Sequence, residues 1–356
     1  MQGAAGGAAA GGGAGAGGGA AADGGAAAGG GAGAGGPAAA EVDVVVIGAG
    51  PAGLSAALNL VRSRRTVLIL DANRPRHSAT LRSHGFLTRD GISPLELRRL
   101  GREEVLSYEG AELAQAEVTR VQREGRLLRV QARGVRGGAD REVRARAVLI
   151  AAGLSERLPA LPSIRAYYGT ALHSCIACDA FEDTGEPLAL IGETKDVFDR
   201  ALLLASFTAD LIVFTNGADV VSAEEEAFLA GRGISVERTP IVDVVGDKAV
   251  MTGIALSDGR VIARSAGFLR PTWSANIGYA EGLGLERDAW GLLDVDELGR
   301  TNVPGVWAAG DITPPGPQQL VVAAGEGARV ANAVVRSLVF EGTPGPHGLS
   351  EAVFTR

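Results

Sequence analysis

Apolar residues along this chain gather in short runs with two different periods. Residues 42–47 (VDVVVI) are almost all apolar and β-branched, which is typical of a strand buried on both faces of a parallel sheet. Residues 54–60 (LSAALNL) have helical spacing, and residues 66–70 (TVLIL) form a second run of strand length. Further runs of strand length lie at 147–150, 187–191 and 211–214. This alternation predicts an α/β fold with parallel sheets.

A glycine-rich turn joins the first predicted strand to the first predicted helix. Gly48, Gly50 and Gly53 follow the G-x-G-x-x-G spacing, which provides a tight turn, room for a pyrophosphate and close packing of helix on strand. Free N–H groups at the helix start favour a bound phosphate. Asp71 ends the second strand, about 20 residues beyond the first glycine, where an acid binds a ribose hydroxyl. The predicted dinucleotide contacts here are Gly48, Gly50, Pro51, Ala52, Gly53 and Asp71.

The first forty residues are almost entirely Gly and Ala, interrupted only by Met1, Gln2, Asp23 and Pro37. Such a polymer buries too little apolar surface to offset its ordering entropy, so we expect residues 1–40 to be disordered and without a specific function. The chain has 356 residues, and the remainder exceeds the usual size of one hydrophobic core, so two domains are expected. Residues 341–356 are expected to form a C-terminal tail.

Composition and charge argue against several classes of protein. The formal net charge is −7 and the basic residues are scattered, so nucleic acid is not an expected partner. No apolar run approaches the ~20 residues needed to span a bilayer, so a membrane protein is not expected. The N-terminal region lacks the features of a secretory signal or a transit peptide, which makes the cytoplasm the expected location.

The two cysteines form a C-x-x-C pair. Cys175 and Cys178 are preceded by His173 and followed by Asp179. This spacing holds two sulfurs close enough for a readily exchanged disulfide, and a nearby cation or base can lower the pKa of one thiol. Zinc is an alternative because His173 adds a third ligand-like position, although zinc would need a fourth ligand and there is no second cysteine pair. Inert buried thiols are a further alternative, and two cysteines cannot build a disulfide framework.

Two segments near the C-terminus carry a second set of cofactor-like features. They read TNVPGVWAAGD at 301–311 and QLVVAAGEG at 319–327. They resemble the second FAD motif of the two-dinucleotide-domain flavoprotein disulfide reductases, in which the A-G-D aspartate binds the ribityl chain and the next helix points its N-terminus at the flavin. That dipole would stabilise the negative charge of a reduced flavin. The AAG sequence at 151–153 corresponds to the A-T-G segment at which, in this family, the chain passes from one domain to the other. The resemblance implies FAD at the Gly48 turn, with contacts from Gly153, Gly310, Asp311, Gln319 and Leu320.

Around the cysteines the resemblance becomes more specific. The C-x-x-C-D sequence at 175–179 resembles that of the low-molecular-weight thioredoxin reductases, in which it opens an inserted domain. This resemblance covers residues 41–340 and implies that Cys178 lies beneath the flavin, that Cys175 is the more exposed sulfur, and that the protein is a homodimer. If burial raises its pKa, Asp179 would move protons between the thiols and the flavin. The predicted catalytic residues are therefore Cys175, Cys178 and Asp179, and no metal is assigned.

The inserted segment departs from thioredoxin reductases where NADPH would bind. The turn after the strand at 187–191 reads GETKDV, with Thr194 and Val197 in place of the second and third glycines. The two acidic residues of this turn would place negative charge beside a bound pyrophosphate. The lysine of the turn would partly offset that charge. The strand at 211–214 is followed by TNGAD, which has neither the arginines that bind a 2′-phosphate nor an acid at the strand end. These losses predict that NADPH is not the electron source.

A second departure follows Asp71. RPRH at 74–77 and HGFLTRDGISP at 84–94 replace two thioredoxin reductase elements. They resemble the branch that contains the FAD-dependent dithiol oxidases of gliotoxin and holomycin biosynthesis, which close a disulfide in a small molecule and pass electrons to oxygen. His77 and His84 are candidates for catalysis or for solvent-facing loop positions, and the sequence assigns no role to His173.

The expected architecture is an α/β fold with two Rossmann-like dinucleotide-binding domains. Residues 41–157 and 290–340 form the FAD-binding domain, and residues 158–289 form the inserted NAD(P)-binding-like domain that carries the C-x-x-C. The expected function is the oxidation of a small-molecule dithiol with O2 as acceptor and without NADPH. One alternative is an NADPH-dependent thioredoxin reductase with a thioredoxin-like partner. Another is a flavin-binding redox sensor without turnover.

Overall fold

The computed structural model describes residues 40–248 and 250–340, and the predicted tails at 1–39 and 341–356 lie outside this range. Its strands are β1 Ala40–Ile47, β2 Val67–Leu70, β3 Ala111–Ala114, β4 Ala116–Glu124, β5 Leu127–Gly134, β6 Arg141–Ile150, β7 Ser155–Arg157, β8 Leu172–His173, β9 Leu188–Ile191, β10 Leu211–Phe214, β11 Ser235–Glu237, β12 Ile241–Asp247, β13 Val250–Leu256, β14 Val261–Ala263, β15 Ala266–Leu269, β16 Thr272–Ser274 and β17 Val306–Ala308. Its helices are α1 Pro51–Arg62, α2 Pro94–Leu106, α3 Ile164–Tyr167, α4 Ile176–Asp179, α5 Val197–Leu204, α6 Ala223–Ala230 and α7 Leu320–Phe340, with 3₁₀ turns at Arg76–Ala79 and Gly278–Leu283. Ala40, assigned to the tail from sequence, is instead the first residue of β1. Within the described ranges, no helix combines the length and apolar character needed to cross a bilayer.

The first sheet is built around β1 and has the order β3-β2-β1-β6-β5-β4. The β1–β2, β2–β3 and β1–β6 pairs are parallel, as is the pairing of β17 with β6, whereas β4 and β5 add antiparallel strands. Val44 and Val46 pack on one face with α1 and α7, and Val45 and Ile47 pack on the other. Because both faces are covered, an almost continuous apolar run is the expected composition for β1.

The second sheet is parallel and has the order β11-β10-β9-β15-β8. An antiparallel sheet of β12, β13 and β14 follows it in the chain. Antiparallel pairing of β7 with β16 joins the segment that leaves the first sheet to the segment that returns to it. The fold class is therefore α/β, as the sequence predicts, with a first sheet that is parallel except for β4 and β5 and a second sheet that is parallel throughout.

The packing bears on where the inserted part ends. Ile277 and Leu293 belong to the same buried cluster as Val45, and Tyr279 and Leu283 pack against it. Residues 277–283 therefore lie on the first sheet, although the sequence division placed them in the inserted domain. The division into domains stays a prediction, and this packing favours a second boundary close to β16 rather than at 289.

Close glycine contacts hold α1 between β1 and α7. A β-carbon on Gly53 would overlap the carbonyl oxygen of Gly48, and one on Gly327 would overlap the carbonyl oxygen of Ala52. A β-carbon on Gly310 would lie 2.8 Å from that of Ala52. The backbone of α1 thus approaches its neighbours more closely than any side chain would allow, and this approach fixes the position of its first turn.

We predict that Gly327→Ala lowers stability by about 1–3 kcal/mol, because overpacking must push α7 away from Ala52. Gly325→Ala on the same helix is the matched control, since a β-carbon there meets nothing within 4 Å. Its expected effect is neutral or a gain of about 0.5–1 kcal/mol from helix propensity. Thermal melting of both variants measures the difference, and equal melting temperatures would argue against the close contact.

Candidate active site

A cleft of about 530 Å³ lies at the carboxyl ends of β1, β2 and β6, beside the first turns of α1 and α7. It is called the flavin cleft below. The structure brings ten of the predicted cofactor residues into its wall: Gly48, Gly50, Pro51, Ala52, Asp71, Gly153, Gly310, Asp311, Gln319 and Leu320. Gly53 does not line the cleft, because it faces Gly48 and lets α1 pack against the strand end.

The shape of the flavin cleft fits FAD. A β-carbon on Gly50 or Gly153 would meet no atom within 4 Å, so both glycines leave open space along the wall. Gly50 has a φ of −82° and precedes α1 directly, which places the free N–H groups of that helix at the cleft. The buried hydroxyl of Tyr279, also in the wall, has no hydrogen-bond partner in the described residues. Such a group is suited to bind a polar ligand atom.

Two arginines hold the predicted ribose-binding acid. Asp71 is 7% exposed, and its Oδ2 accepts hydrogen bonds from Arg98 Nη2 at 2.9 Å and Arg102 Nη2 at 2.5 Å. Arg98 also donates to the carbonyl of Ala49, in the glycine-rich turn, at 3.4 Å and to Asn73 Oδ1 at 3.0 Å. The arginines fix the carboxylate at the end of β2. Both lie on α2, and no sequence motif marked them.

The second predicted acid of the cleft is held from the segment after Asp71. Arg76 Nη2 donates to Asp311 Oδ2 at 2.7 Å, and the Arg76 guanidinium lies 5.6 Å from the centre of the Trp273 ring. Gly310 N donates to Glu326 Oε2 at 2.8 Å, which ties the A-G-D turn to α7. Sequence reasoning singled out Asp311 but gave no signal that Arg76 and Glu326 would position its turn.

The C-x-x-C sulfurs lie in a second pocket, of about 90 Å³, called the disulfide pocket below. Cys175 and Cys178 form a disulfide, and Cys175 precedes the short helix α4. This pocket shares part of its wall with the flavin cleft. The shared residues are Arg76, His77, Gln318, Gln319 and Leu320. The bond between the two sulfurs is the one that the redox alternative requires.

Asp179 lies in the wall of the disulfide pocket with 16% of its side chain exposed. Its Oδ1 is 3.6 Å from Nδ1 of His173. Burial raises the pKa of Asp179 to about 6, and the carboxylates of Glu182 and Asp183 add to this, while His84 opposes it. The assumption that burial raises this pKa is therefore confirmed. Burial lowers the pKa of His173, whose ring packs 5.9 Å from that of Phe268.

His77 stands at the boundary between the two cavities. Its Nε2 is buried and has no hydrogen-bond partner in the described residues. Burial lowers the pKa of His77 to about 4, and the positive charges of Arg98 and Arg76 lower it further. The imidazole is therefore neutral near pH 7, so this boundary carries a polar ring without adding charge.

The turn between β9 and α5, where a second dinucleotide would bind, has Val197 packed closely against Gly192. Val197 Cγ2 lies only 2.6 Å from the place that a β-carbon on Gly192 would take. Glu193 Oε1 accepts a hydrogen bond from Asn216 Nδ2 at 2.7 Å. The acid is thereby held across the turn, which keeps one lysine, Lys195, but lacks the second and third glycines of the G-x-G-x-x-G spacing.

Two arginines approach this region from other elements, which the local sequence could not show. Arg270 Nε lies 3.2 Å from Asp196 Oδ2. Arg238 lies 3.9 Å from Asp219 but donates hydrogen bonds to Glu226 and to a backbone carbonyl, at 2.7 and 2.8 Å. Both guanidinium groups are thus engaged by carboxylates of the inserted part. As expected, no arginine follows the end of β10 directly in the sequence. In the folded structure, however, Arg238 and Arg270 lie near this region.

We predict that Gly50→Asp and Asp311→Ala both lower the flavin content of the purified protein. The backbone of Gly50 admits a side chain, so the variant should fold, but its carboxylate would project into open space and repel a pyrophosphate. Asp311→Ala removes the acid that Arg76 now holds. Flavin absorbance per chain gives the loading, and melting of the apoprotein controls for folding. Full loading in both variants would show that these residues do not contact FAD.

A further prediction concerns the cost of ionising buried Asp179. Its pKa of about 6 in the folded protein exceeds its ordinary 3.8, so the folded state binds more protons between these values and stability falls as pH rises through that window. Asp179→Asn should therefore raise the melting temperature at pH 8, with a gain on the order of 2 kcal/mol that fades towards pH 4. Asp219→Asn, whose side chain is fully exposed, is the control. A gain that does not depend on pH would rule out ionisation as its cause.

Comparison with known proteins places this geometry in a family. The family model described as pyridine nucleotide-disulphide oxidoreductase matches residues 42–327. A protein of Arthroderma benhamiae named as a thioredoxin reductase is 32% identical over 181 residues, which cover 50% of this chain and 44% of that relative. The chain therefore spans less than half the length of this relative.

Two other similar proteins match over most of their length. The thioredoxin reductase of Peptoclostridium litorale is 28% identical over 308 residues, covering 81% of this chain and 94% of the relative. The crystal structure of HlmI superimposes with a TM-score of 0.78 and 36% identity, covering 84% of this chain and 93% of HlmI. The chain belongs to the pyridine nucleotide-disulphide oxidoreductase family and is a thioredoxin reductase-like, FAD-binding oxidoreductase that acts on thiols and disulfides.

Proposed function

We propose that this protein oxidises a small-molecule dithiol to a disulfide, with O2 as the final electron acceptor and without NADPH. The observation that carries the proposal is a contrast between two sites. The disulfide pocket shares a wall with the flavin cleft, whereas the β9–α5 turn has Thr194 and Val197 at two glycine positions and is crossed by the Glu193–Asn216 hydrogen bond. Residues 74–94, which resemble the corresponding region of dithiol oxidases, contribute Arg76, His77 and His84 to the disulfide pocket.

The cysteine pair performs the exchange with substrate. A substrate thiolate attacks Cys175, the more exposed sulfur by resemblance, and the electron pair of the broken bond goes to Cys178. The second substrate thiol then displaces Cys175 and closes the product disulfide, which leaves the enzyme as a dithiol. A pocket of about 90 Å³ suits the reacting end of a small molecule.

Asp179 is suited to move the protons that this exchange releases. Its pKa of about 6 allows it to gain or lose a proton close to neutral pH, as acid–base catalysis requires. His173 lies 3.6 Å from it, and burial lowers the pKa of this imidazole, which disfavours its charged form. When bound, FAD supplies a two-electron acceptor for the dithiol and a route to O2, which is reduced to hydrogen peroxide.

An NADPH-dependent reductase of a thioredoxin-like protein is the second candidate. It is favoured by the similarity to a thioredoxin reductase over 81% of the chain and by the arginines that approach the inserted part. A flavin-binding redox sensor without turnover is a third, in which the cysteine pair reports the redox state. The homodimer and the cytoplasmic location stay predictions.

The test follows the flavin absorbance of the holoenzyme under argon. We predict that an excess of dithiol bleaches the flavin and that admitting air restores the oxidised spectrum with one peroxide per dithiol. Cys175→Ser and Cys178→Ser should each keep their FAD and lose this bleaching, because neither retains a disulfide to reduce. NADPH should bind no better than about millimolar, since the turn lacks two glycines of the backbone cradle and the segment at 215–219 has no arginine for the 2′-phosphate.

The outcomes separate the candidates. Rapid bleaching by micromolar NADPH would establish the reductase and overturn the proposal. Bleaching by dithiol without oxygen uptake on re-aeration would favour the sensor. Dithiol turnover that survives in either serine variant would remove the cysteine pair from the electron path.

A further inference from the structure

Arg200 connects the segment that leads into the C-x-x-C with the end of strand β15. It lies on α5, and its Nη2 donates hydrogen bonds to the carbonyl of Ser174 at 3.1 Å and to the carbonyl of Leu269 at 3.2 Å. The hydroxyl of Tyr168 lies 3.1 Å from Ser174 Oγ. Ser174 is therefore held through its side chain and through its carbonyl, directly before Cys175.

The positive charge of Arg200 has no carboxylate in direct contact within the described part of the chain. Its side chain donates only to the two backbone carbonyls, and its buried Nε has no hydrogen-bond partner there. Burial and the positive charge of Arg270 lower the pKa of Arg200, and the negative charge of Asp196 opposes this. Asp196 itself lies 3.2 Å from Arg270 Nε, so its charge is shared. A guanidinium stays charged in proteins, and this one is only partly compensated.

Covalent geometry limits how far this charge can lie from the sulfur of Cys175. One peptide bond and one side chain separate the Ser174 carbonyl oxygen from Cys175 Sγ, and together they span at most about 5.6 Å. Because Arg200 Nη2 is 3.1 Å from that oxygen, it lies within about 9 Å of Sγ. At this distance and an effective dielectric constant of about 20, a unit charge favours a thiolate by about one pKa unit.

Two other arginines line the disulfide pocket, but each is less suited to act on Cys175. Arg76 is engaged by Asp311, whose Oδ2 lies 2.7 Å from its Nη2. Arg82 is exposed, so solvent and salt screen its charge. Arg200 differs from both, because it is half-buried and is bonded to the residue that precedes Cys175.

The remaining titratable groups of the pocket add little positive charge. They are His77, His84, Tyr168, His173 and Asp179. Burial lowers the pKa of His77 and of His173, which disfavours their charged forms. Asp179 opposes a thiolate, because above its pKa of about 6 it carries a negative charge. A thiolate on Cys175 therefore needs a compensating cation, and Arg200 provides one.

We propose that Arg200 is a positioning residue that holds Cys175 through the Ser174 carbonyl and stabilises the Cys175 thiolate by its charge. The proposal rests on the function proposed above, in which Cys175 is the sulfur that exchanges with the substrate. A cation beside a C-x-x-C acidifies one of its thiols. Here that cation comes from α5 of the inserted part.

The thiolate matters in the second half of the exchange. The second substrate thiol loses its proton to water, and its sulfur attacks the substrate sulfur that is bonded to Cys175. A substrate disulfide forms, and the electron pair of the broken bond goes to Cys175. Because a thiol of lower pKa is the better leaving group, Arg200 favours release of the product.

The test measures the pKa of Cys175 without requiring turnover. Cys178→Ser leaves Cys175 as the only cysteine of the chain, so alkylation of the FAD-loaded protein by iodoacetamide reports this thiolate alone. We expect the pH dependence of the alkylation rate to give a pKa below the ordinary ~8.5. Adding Arg200→Gln should raise it by about one unit, which makes alkylation about tenfold slower at pH 6 and leaves it unchanged at pH 10.

Two further variants on the same background support the interpretation. Arg200→Lys keeps a positive charge on α5, so its alkylation rate at pH 6 should stay within about threefold of the parent. Arg264→Gln is the matched control, because Arg264 is also buried and donates to a backbone carbonyl, that of Ala263, at 2.7 Å. Arg264 precedes β15, whereas Arg200 contacts its last residue, so the Arg264→Gln profile should match the parent.

Each outcome decides the proposal. Slowing by Arg200→Gln that is equal at every pH would indicate a change in access to Cys175 and overturn the electrostatic role. An unchanged profile would overturn it as well. A Cys175 pKa at or above 8.5 with Arg200 present would overturn the proposal even if Arg200→Gln does not fold. The proposed function fails separately, when an excess of dithiol leaves the flavin of the wild-type holoenzyme unbleached.

Discussion

The close approach of α1 to its two neighbours is the constraint on which the site depends. Gly53 packs on the Gly48 carbonyl and Gly327 packs on the Ala52 carbonyl, so the first turn of α1 reaches the end of β1 without a side chain between them. The amino end of α7 arrives at the same place through this contact. Close backbone packing therefore determines where the flavin cleft lies, and polar side chains such as Asp71 line its wall.

Charge is arranged differently in the two cavities. In the flavin cleft, the acids Asp71 and Asp311 are each bound by arginine side chains, which fixes them and balances their charge. In the disulfide pocket, burial favours the neutral forms of His77, His173 and Asp179. A buried carboxyl group with a pKa of about 6 beside a disulfide can take up and release protons close to neutral pH, as thiol exchange requires.

The inserted part has a parallel sheet like that of a nucleotide-binding domain, but its β9–α5 turn departs from the G-x-G-x-x-G spacing. Strands β8 to β11 and β15 pair in parallel, and their cores are closely packed. A sheet of this kind depends on buried apolar residues, whereas phosphate binding depends on a few clearances in one turn. Thr194 and Val197 stand at two glycine positions of the turn without disturbing the sheet, so the fold does not depend on that turn.

The local units of this protein could be predicted from its amino-acid sequence. Strand runs, the turn from Gly48 to Gly53 and the Cys175–Cys178 pair are short-range patterns, since a strand, a tight turn and a C-x-x-C each need only neighbouring residues. The distant side chains that complete the site could be identified only once the chain was folded. Arg98 reaches Asp71 and His84 reaches Glu182 across long stretches of chain, and Ile277 packs on the first sheet although it lies within the predicted insertion. These contacts depend on how whole elements pack, and no periodicity or local spacing encodes them.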